Sequence, residues 1–129
     1  MSNLAIIQQV YAAFESADLD TVLALVDPDC TITQDPALPW GGEHHGTDGA
    51  ATFAITLAGT ISSTVTVNGL FEAGDRVIQY GHTHGTVIAT GAAFDVPEVH
   101  VWTLRDGKII AAEFYIESSA MLVALGSPA

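Results

Sequence analysis

The sequence predicts an α+β domain, with helices first and a largely antiparallel sheet after them. Three observations carry this. Apolar residues recur at spacings of three and four through the N-terminal part of the chain, and from Ile61 onward the pattern changes to β-branched alternation. The second part is punctuated at Gly74-Asp75, Thr90-Gly91 and Asp106-Gly107, which are hairpin signals. Helices followed by strands is the layer pattern of an α+β fold, and 129 residues suit one hydrophobic core, hence a single domain over residues 1–129.

Taken in order, Leu4, Ile7, Tyr11 and Phe14 predict an amphipathic helix from about Asn3 to Ser16. Asp18 is placed to cap a second, shorter helix carrying Leu19, Val22, Leu23 and Val26, which Pro28 stops. Cys30 to Thr33 is a short β-prone run, and Asp35 to Gly42, with two prolines and two glycines, reads as a long loop. Thr47 stands where a cap belongs, with Asp48 in the first turn, ahead of a third helix through Ala50, Phe53 and Leu57 to about Gly59. Four long antiparallel strands follow, and Ser118 to Leu125 closes the chain as a helix-compatible segment ended by Gly126 and Pro128.

Composition narrows the partners. Fifteen acidic residues face three basic ones, Arg76, Arg105 and Lys108, and the net charge of −12 repels phosphate backbones and anionic membrane surfaces. Nucleic acid and membrane are therefore not expected as partners, and the shortage of guanidinium and ammonium groups argues against a phosphorylated substrate. A neutral hydrophobic small molecule, such as a carbonyl compound, fits better. The lone Cys30 excludes an intramolecular disulfide, and no segment reads as a signal peptide or a membrane span, so a cytoplasmic location is expected.

The stretch Tyr11-Ala-Ala-Phe-Glu-Ser-Ala-Asp-Leu-Asp20, running on to Asp35-Pro36, resembles the opening of ketosteroid isomerases of the nuclear-transport-factor-two-like superfamily. Val99-His-Val-Trp-Thr-Leu-Arg-Asp-Gly-Lys-Ile109 is similar to the last hairpin of SnoaL-like polyketide cyclases. The resemblance implies a cone in which three N-terminal helices pack in a strongly curved, mainly antiparallel sheet, with a pocket at one end and, commonly, a homodimer formed through the sheet. It also implies chemistry without a cofactor or metal.

Ketosteroid isomerases pair a tyrosine of the first helix, as an oxyanion donor, with a proton-shuttling aspartate just before a proline; Tyr11 and Asp35 occupy those motif positions. Periodicity alone also fits Tyr11 as a core residue, and Asp35 also fits an Asx-turn. Inside apolar walls, Asp35 would titrate above its ordinary value. The family's other donor, a protonated aspartate, falls at His100 here, a departure that puts steroid isomerisation itself in question.

If Asp106-Gly107 is a two-residue turn, uninterrupted pairing sets His100 opposite Glu113. One face then collects Glu98, His100, Trp102, Glu113, Tyr115 and Glu117, and the other Val99, Val101, Ile110, Ala112, Phe114 and Ile116. A solvated polar face is the ordinary arrangement. The cyclase-like acid that resembles Glu117 points inward, however, which makes the polar face the pocket and leaves the apolar face for a dimer partner.

The resulting reading has Asp35 as base, Tyr11 and His100 polarising a carbonyl, Glu113 orienting His100, and Glu117 as an alternative acid. Trp40, Trp102, Tyr115, Glu98 and Phe53 shape the substrate site. His82 and His84 share a strand face but are expected as structural or pocket-lining histidines, and Glu43, His44 and His45 are expected in a lid-like loop. The expected activity is that of a cofactor-independent isomerase or cyclase working by general acid-base catalysis; the alternative is a noncatalytic ligand-binding or dimerisation module of the same fold.

Overall fold

A computed structural model describes residues 1–126, so Pro128 lies outside the described residues. Four helices and six strands run in the order α1 (Asn3–Glu15), α2 (Leu19–Ala24), β1 (Val26–Gln34), β2 (Gly42–His45), α3 (Gly46–Thr60), β3 (Ile61–Ala73), β4 (Arg76–Val87), β5 (Ala93–Arg105), β6 (Lys108–Ile116) and α4 (Ser118–Ala124). The strands form one mixed sheet in the order β2-β1-β6-β5-β4-β3. Only β1 and β6 run parallel, because helix α3 and the long hairpins separate them in the chain. This is the α+β fold that the periodicities predict, with helices packed against a curved sheet as the resemblance implies.

Side chains of the helices and of one sheet face share a core. Ile7 and Val10 of α1, Val77 of β4, Ile109 of β6 and Met121 of α4 are all but inaccessible, each contributing about 1.5–3 kcal/mol by leaving water. Ser2 caps α1 through Ala5 N–H. Asp18 caps α2 through Thr21 N–H, the cap that the sequence predicts. Helix α3 begins at Gly46, one residue before the expected cap Thr47, and the capping position is held by His45, whose side chain makes no capping bond.

Glu43, His44 and His45 are not a lid. They form β2, pairing Thr31 with His45 and Thr33 with Glu43. The preceding loop is packed down rather than free: Leu38 and Trp40 are buried, the indole N–H donates to Gln34 Oε1 at 3.0 Å, and His44 Nε2 donates to the carbonyls of Trp40 and Gly41 at 3.0 and 3.1 Å. A tryptophan beside glycines thus finds its partner within the chain.

Curvature enters where β3 meets β4. The pairing slips between Val67 and Gly69, and a methyl group at Gly81 would stand 1.9 Å from the Thr66 carbonyl oxygen. Only a residue without Cβ lets the two strands approach so closely there.

A second irregularity decides which side chains enter the cone. Arg105 pairs with Lys108 and Leu104 with Ile109 across the Asp106-Gly107 turn, but Thr103 pairs with Ala111, so Ile110 is an extra, bulged residue. One residue of slip exchanges the faces of the whole strand beyond it. His100 therefore stands opposite Phe114, and Glu113 opposite Val101. The expected polar face is divided: Glu98, His100 and Trp102 point into the cone, whereas Glu113 and Tyr115 lie on the outer face with Val99 and Val101. Ala112 and Phe114, expected outside, belong to the core.

Candidate functional site

The interior holds a connected polar cluster supplied by α1, β4 and β5. Helical spacing aims Tyr11 from α1 at the sheet, and strand alternation presents Glu98, His100 and Trp102 of β5 and Gln79 and Thr83 of β4 to it. Cross-strand register sets Gln79 opposite His100 and Gly81 opposite Glu98. Glu98 and His100 are 4% and 7% exposed, and Gln79 is fully buried.

Glu98 accepts hydrogen bonds from the Thr83 hydroxyl and the Gln79 amide, and its Oε2 lies 3.2 Å from His100 Nε2. The Gln79 amide nitrogen, which can only donate, lies 3.2 Å from His100 Nδ1, so Nδ1 is the acceptor and the imidazole proton is on Nε2, beside Glu98. The Tyr11 hydroxyl stands 2.7 Å from Nδ1 and donates to it, while Trp102 Nε1–H donates to the Tyr11 oxygen at 2.9 Å. The result is a directed chain, Trp102 to Tyr11 to His100, with the Glu98 carboxyl beside the imidazole.

Burial governs the protonation of all three titratable members. It pushes the His100 imidazolium pKa down to about 3, so the ring is neutral near pH 7. It raises Tyr11 far above the ordinary phenol range, against the hydrogen bonds from Trp102 and Gln79. It also raises Glu98, against the bonds from Thr83 and Gln79.

Aromatic rings enclose this chain. The Tyr11 and His100 rings are stacked with centroids 5.9 Å apart, Phe114 meets His100 edge-on at 4.7 Å, and Phe53 stacks on Phe114 at 5.4 Å. Trp102 packs edge-on against Tyr11 and Phe114. Of the predicted substrate-site residues, Glu98, Trp102 and Phe53 are thus gathered around Tyr11 and His100, whereas Trp40 is bound into its own loop.

The remaining predicted residues stand apart. Asp35 is exposed and accepts the Ala37 backbone N–H at 2.9 Å, an Asx-turn. This bond, with one from the Ser118 hydroxyl, holds its carboxyl below the ordinary range, the reverse of the expected rise. Glu113 receives the Tyr115 hydroxyl at 2.9 Å on the outer face and has no bond to His100. Glu117 is exposed at the start of α4, where it accepts from the Ser119 hydroxyl. His82 and His84 also lie outside, with Asp95 and Thr66 as partners, both at 2.9 Å.

A surface cleft of about 450 Å³ passes Gln34, Asp35, Pro36, Phe114, Tyr115 and Ser118, so Phe114 alone belongs both to its wall and to the aromatic shell of His100. Gln79 and Thr83 were not foreseen. Their parity with Val77 along β4 is the signal that places them inward, but it becomes useful only with the β4–β5 register.

A family profile described as a SnoaL-like domain matches residues 7–112. No curated protein matches the chain. Among solved structures, an NTF2-like protein of unknown function from Burkholderia pseudomallei shares 26% identity, with 98% of this chain and 100% of that one covered and a TM-score of 0.90. TerC co-crystallised with polyporic acid also shares 26%, with coverage of 97% and 98% and a TM-score of 0.88. A protein with a ketosteroid isomerase-like fold from Catenulispora acidiphila, in complex with trimethylamine, is similar in fold at 23% identity, covering 95% of this chain and 93% of its own, with a TM-score of 0.78. With a profile that spans most of its length and an open curved sheet packed around a polar cluster, the chain belongs to the SnoaL-like domain family of the NTF2-like superfamily.

Proposed function

We propose that the chain binds a hydrophobic small molecule in its cone and acts on it as a cofactor-independent isomerase or cyclase, by general acid-base chemistry at a carbonyl group. The carrying observation is the Tyr11 hydroxyl held between Trp102 Nε1–H and His100 Nδ1. A substrate carbonyl that takes the Tyr11 hydrogen bond from His100 receives a donor strengthened by the indole behind it, and the same exchange uncovers Nδ1. Nδ1, backed by Glu98 at Nε2, is then the base within reach of a proton next to that carbonyl. Tyr11, kept protonated by burial, is the donor. In this reading the base role expected of Asp35 passes to His100, and Asp35 belongs to the cleft outside.

A β,γ-unsaturated ketone tests it. Measurable isomerisation that falls at least about tenfold in Tyr11→Phe and in His100→Gln is expected, since one donor or proton acceptor is worth that much or more. Turnover unaffected by either change, or lost only in Asp35→Asn, overturns the assignment.

The noncatalytic reading has an observation of its own: Trp102 and Phe114 already pack against His100, with Phe53 stacked behind Phe114. Binding of the ketone without turnover is its signature. Homodimerisation through the sheet belongs to both readings. It is supported by Phe71, Tyr80, Val99 and Tyr115, apolar or aromatic and more than a third exposed on the outer face. A cytoplasmic setting agrees with the unpaired Cys30, and no helix among the described residues is long and apolar enough to cross a membrane.

A further inference from the structure

Hydrogen-bond accounting inside the cone leaves one side-chain atom over. Among the described residues, Gln79 Oε1 is the buried side-chain oxygen or nitrogen without a partner. Its amide nitrogen is committed to Glu98 Oε2 and lies 3.2 Å from His100 Nδ1. Turning the amide over would not remove the deficit. It would set the carbonyl against the carboxylate and transfer the vacancy to the nitrogen.

The donors of the cluster are all in use. Trp102 N–H serves Tyr11, Tyr11 O–H serves His100, His100 Nε2–H faces Glu98, and the Thr83 hydroxyl serves Glu98. Gly81 stands next along the inward row, where the Thr66 carbonyl leaves no room for a side chain, so no donor from that position reaches Gln79 Oε1. The free valence of the centre is therefore an acceptor, and a fully buried acceptor left empty destabilises the fold.

We propose that Gln79 Oε1 is a recognition point for a hydroxyl group, and that the ligand of this cone is an uncharged hydrophobic compound bearing a phenolic, enolic or alcoholic O–H. The proposal rests on the reading of the cone as a small-molecule site and narrows it: a carbonyl for Tyr11 is joined by a hydroxyl for Gln79. Lack of charge on the ligand follows from the enclosed Glu98 and from the absence of Lys and Arg from the cluster. Gln79 acts here as a specificity residue, because a ligand of the same shape without the donor leaves the acceptor unpaired.

The probes are 2-naphthol, 2-methylnaphthalene and 2-acetylnaphthalene, titrated calorimetrically into the full chain at pH 7. The expected result is 2-naphthol binding about tenfold tighter than 2-methylnaphthalene, with no comparable gain for the acetyl compound. Gln79→Met is expected to bring the naphthol and methyl affinities together. Because that variant also removes a donor from Glu98 and is at risk of misfolding, the Gln79 side-chain amide resonances of the wild type are followed in parallel, and they are expected to shift with 2-naphthol alone. Equal affinity for the naphthol and methyl compounds overturns the hydroxyl assignment while leaving small-molecule binding in place. So does tighter binding of the acetyl compound, or a naphthol preference that survives in Gln79→Met. Failure of all three to bind removes the small-molecule reading as well.

Discussion

Trp102 donates its indole N–H to the Tyr11 hydroxyl at 2.9 Å, which ties the middle of β5 to α1 across the core. Trp102→Phe keeps most of the ring's packing and deletes this bond. Loss of about 1–2 kcal/mol of unfolding free energy is expected in urea titration, from the net worth of the bond and the reduced ring volume. The Tyr11 hydroxyl should at the same time become still harder to ionise, since the bond from Trp102 opposes the effect of burial. Unchanged stability would mean that the bond does not form in solution.

His100 makes stability fall towards acid. The unfolded chain binds a proton at the ordinary 6.5 and the folded chain only near 3, so the unfolded state holds more protons between these values. Stability is complete above pH 6.5 and declines as pH falls towards 3. Glu98 works the other way, because its raised folded pKa favours the folded state on acidification below that value. The His100 effect is accordingly clearest just below pH 6.5. A His100 ring resonance that stays flat from pH 8 to 5, and a shallower acid slope in His100→Gln, are the expected measurements.

Gly81→Ala tests the close approach of β3 and β4. Its Cβ meets the Thr66 carbonyl oxygen, part of the backbone, which has no rotamer to give. Overpacking of this kind costs about 1–3 kcal/mol, and a lowered melting temperature is expected. A neutral result would indicate that the sheet relaxes there.

The outer face predicts the oligomeric state. Sedimentation at micromolar concentration is expected to show a dimer, and Val99→Asp, at the centre of the Tyr80–Val99–Tyr115 row, a monomer. A wild-type monomer, or a dimer indifferent to the aspartate, would assign the interface elsewhere.

Glu113 is expected to influence Tyr115 rather than His100. The hydrogen bond to Glu113 is the main cause of the raised Tyr115 pKa, so Glu113→Gln should return the phenol towards its ordinary value while leaving the His100 resonances in place. A shift of the His100 resonances would restore the pairing that an unbulged hairpin implies.

Local signals carried much of the fold. Helical spacing around Ile7 and Val10, the cap at Asp18, the turns at Gly74-Asp75 and Asp106-Gly107, and the long alternating strands are properties of neighbouring residues, and all are present in the structure. Tyr11 and His100 were legible as candidates through the resemblance to ketosteroid isomerases, whose motif positions they occupy, whereas periodicity alone fitted Tyr11 equally to the core.

What the tertiary structure alone decided lies in the relations between elements. A single extra residue at Ile110 turned Glu113 and Tyr115 outward and brought Phe114 in, and no turn signal reports a bulge within a strand. The Asx-turn at Asp35 and the strand formed by Glu43, His44 and His45 depended on partners in Ala37 and in β1. Gln79 and Thr83 became members of the site only when β4 settled beside β5, because parity chooses a face whereas register chooses the neighbour. The sequence by itself determined the α+β class, the order of the elements and the residue types available for chemistry, all of which depend on local periods and turn geometry. Which of those residues meet, and in what protonation state, was decided by long-range pairing and burial.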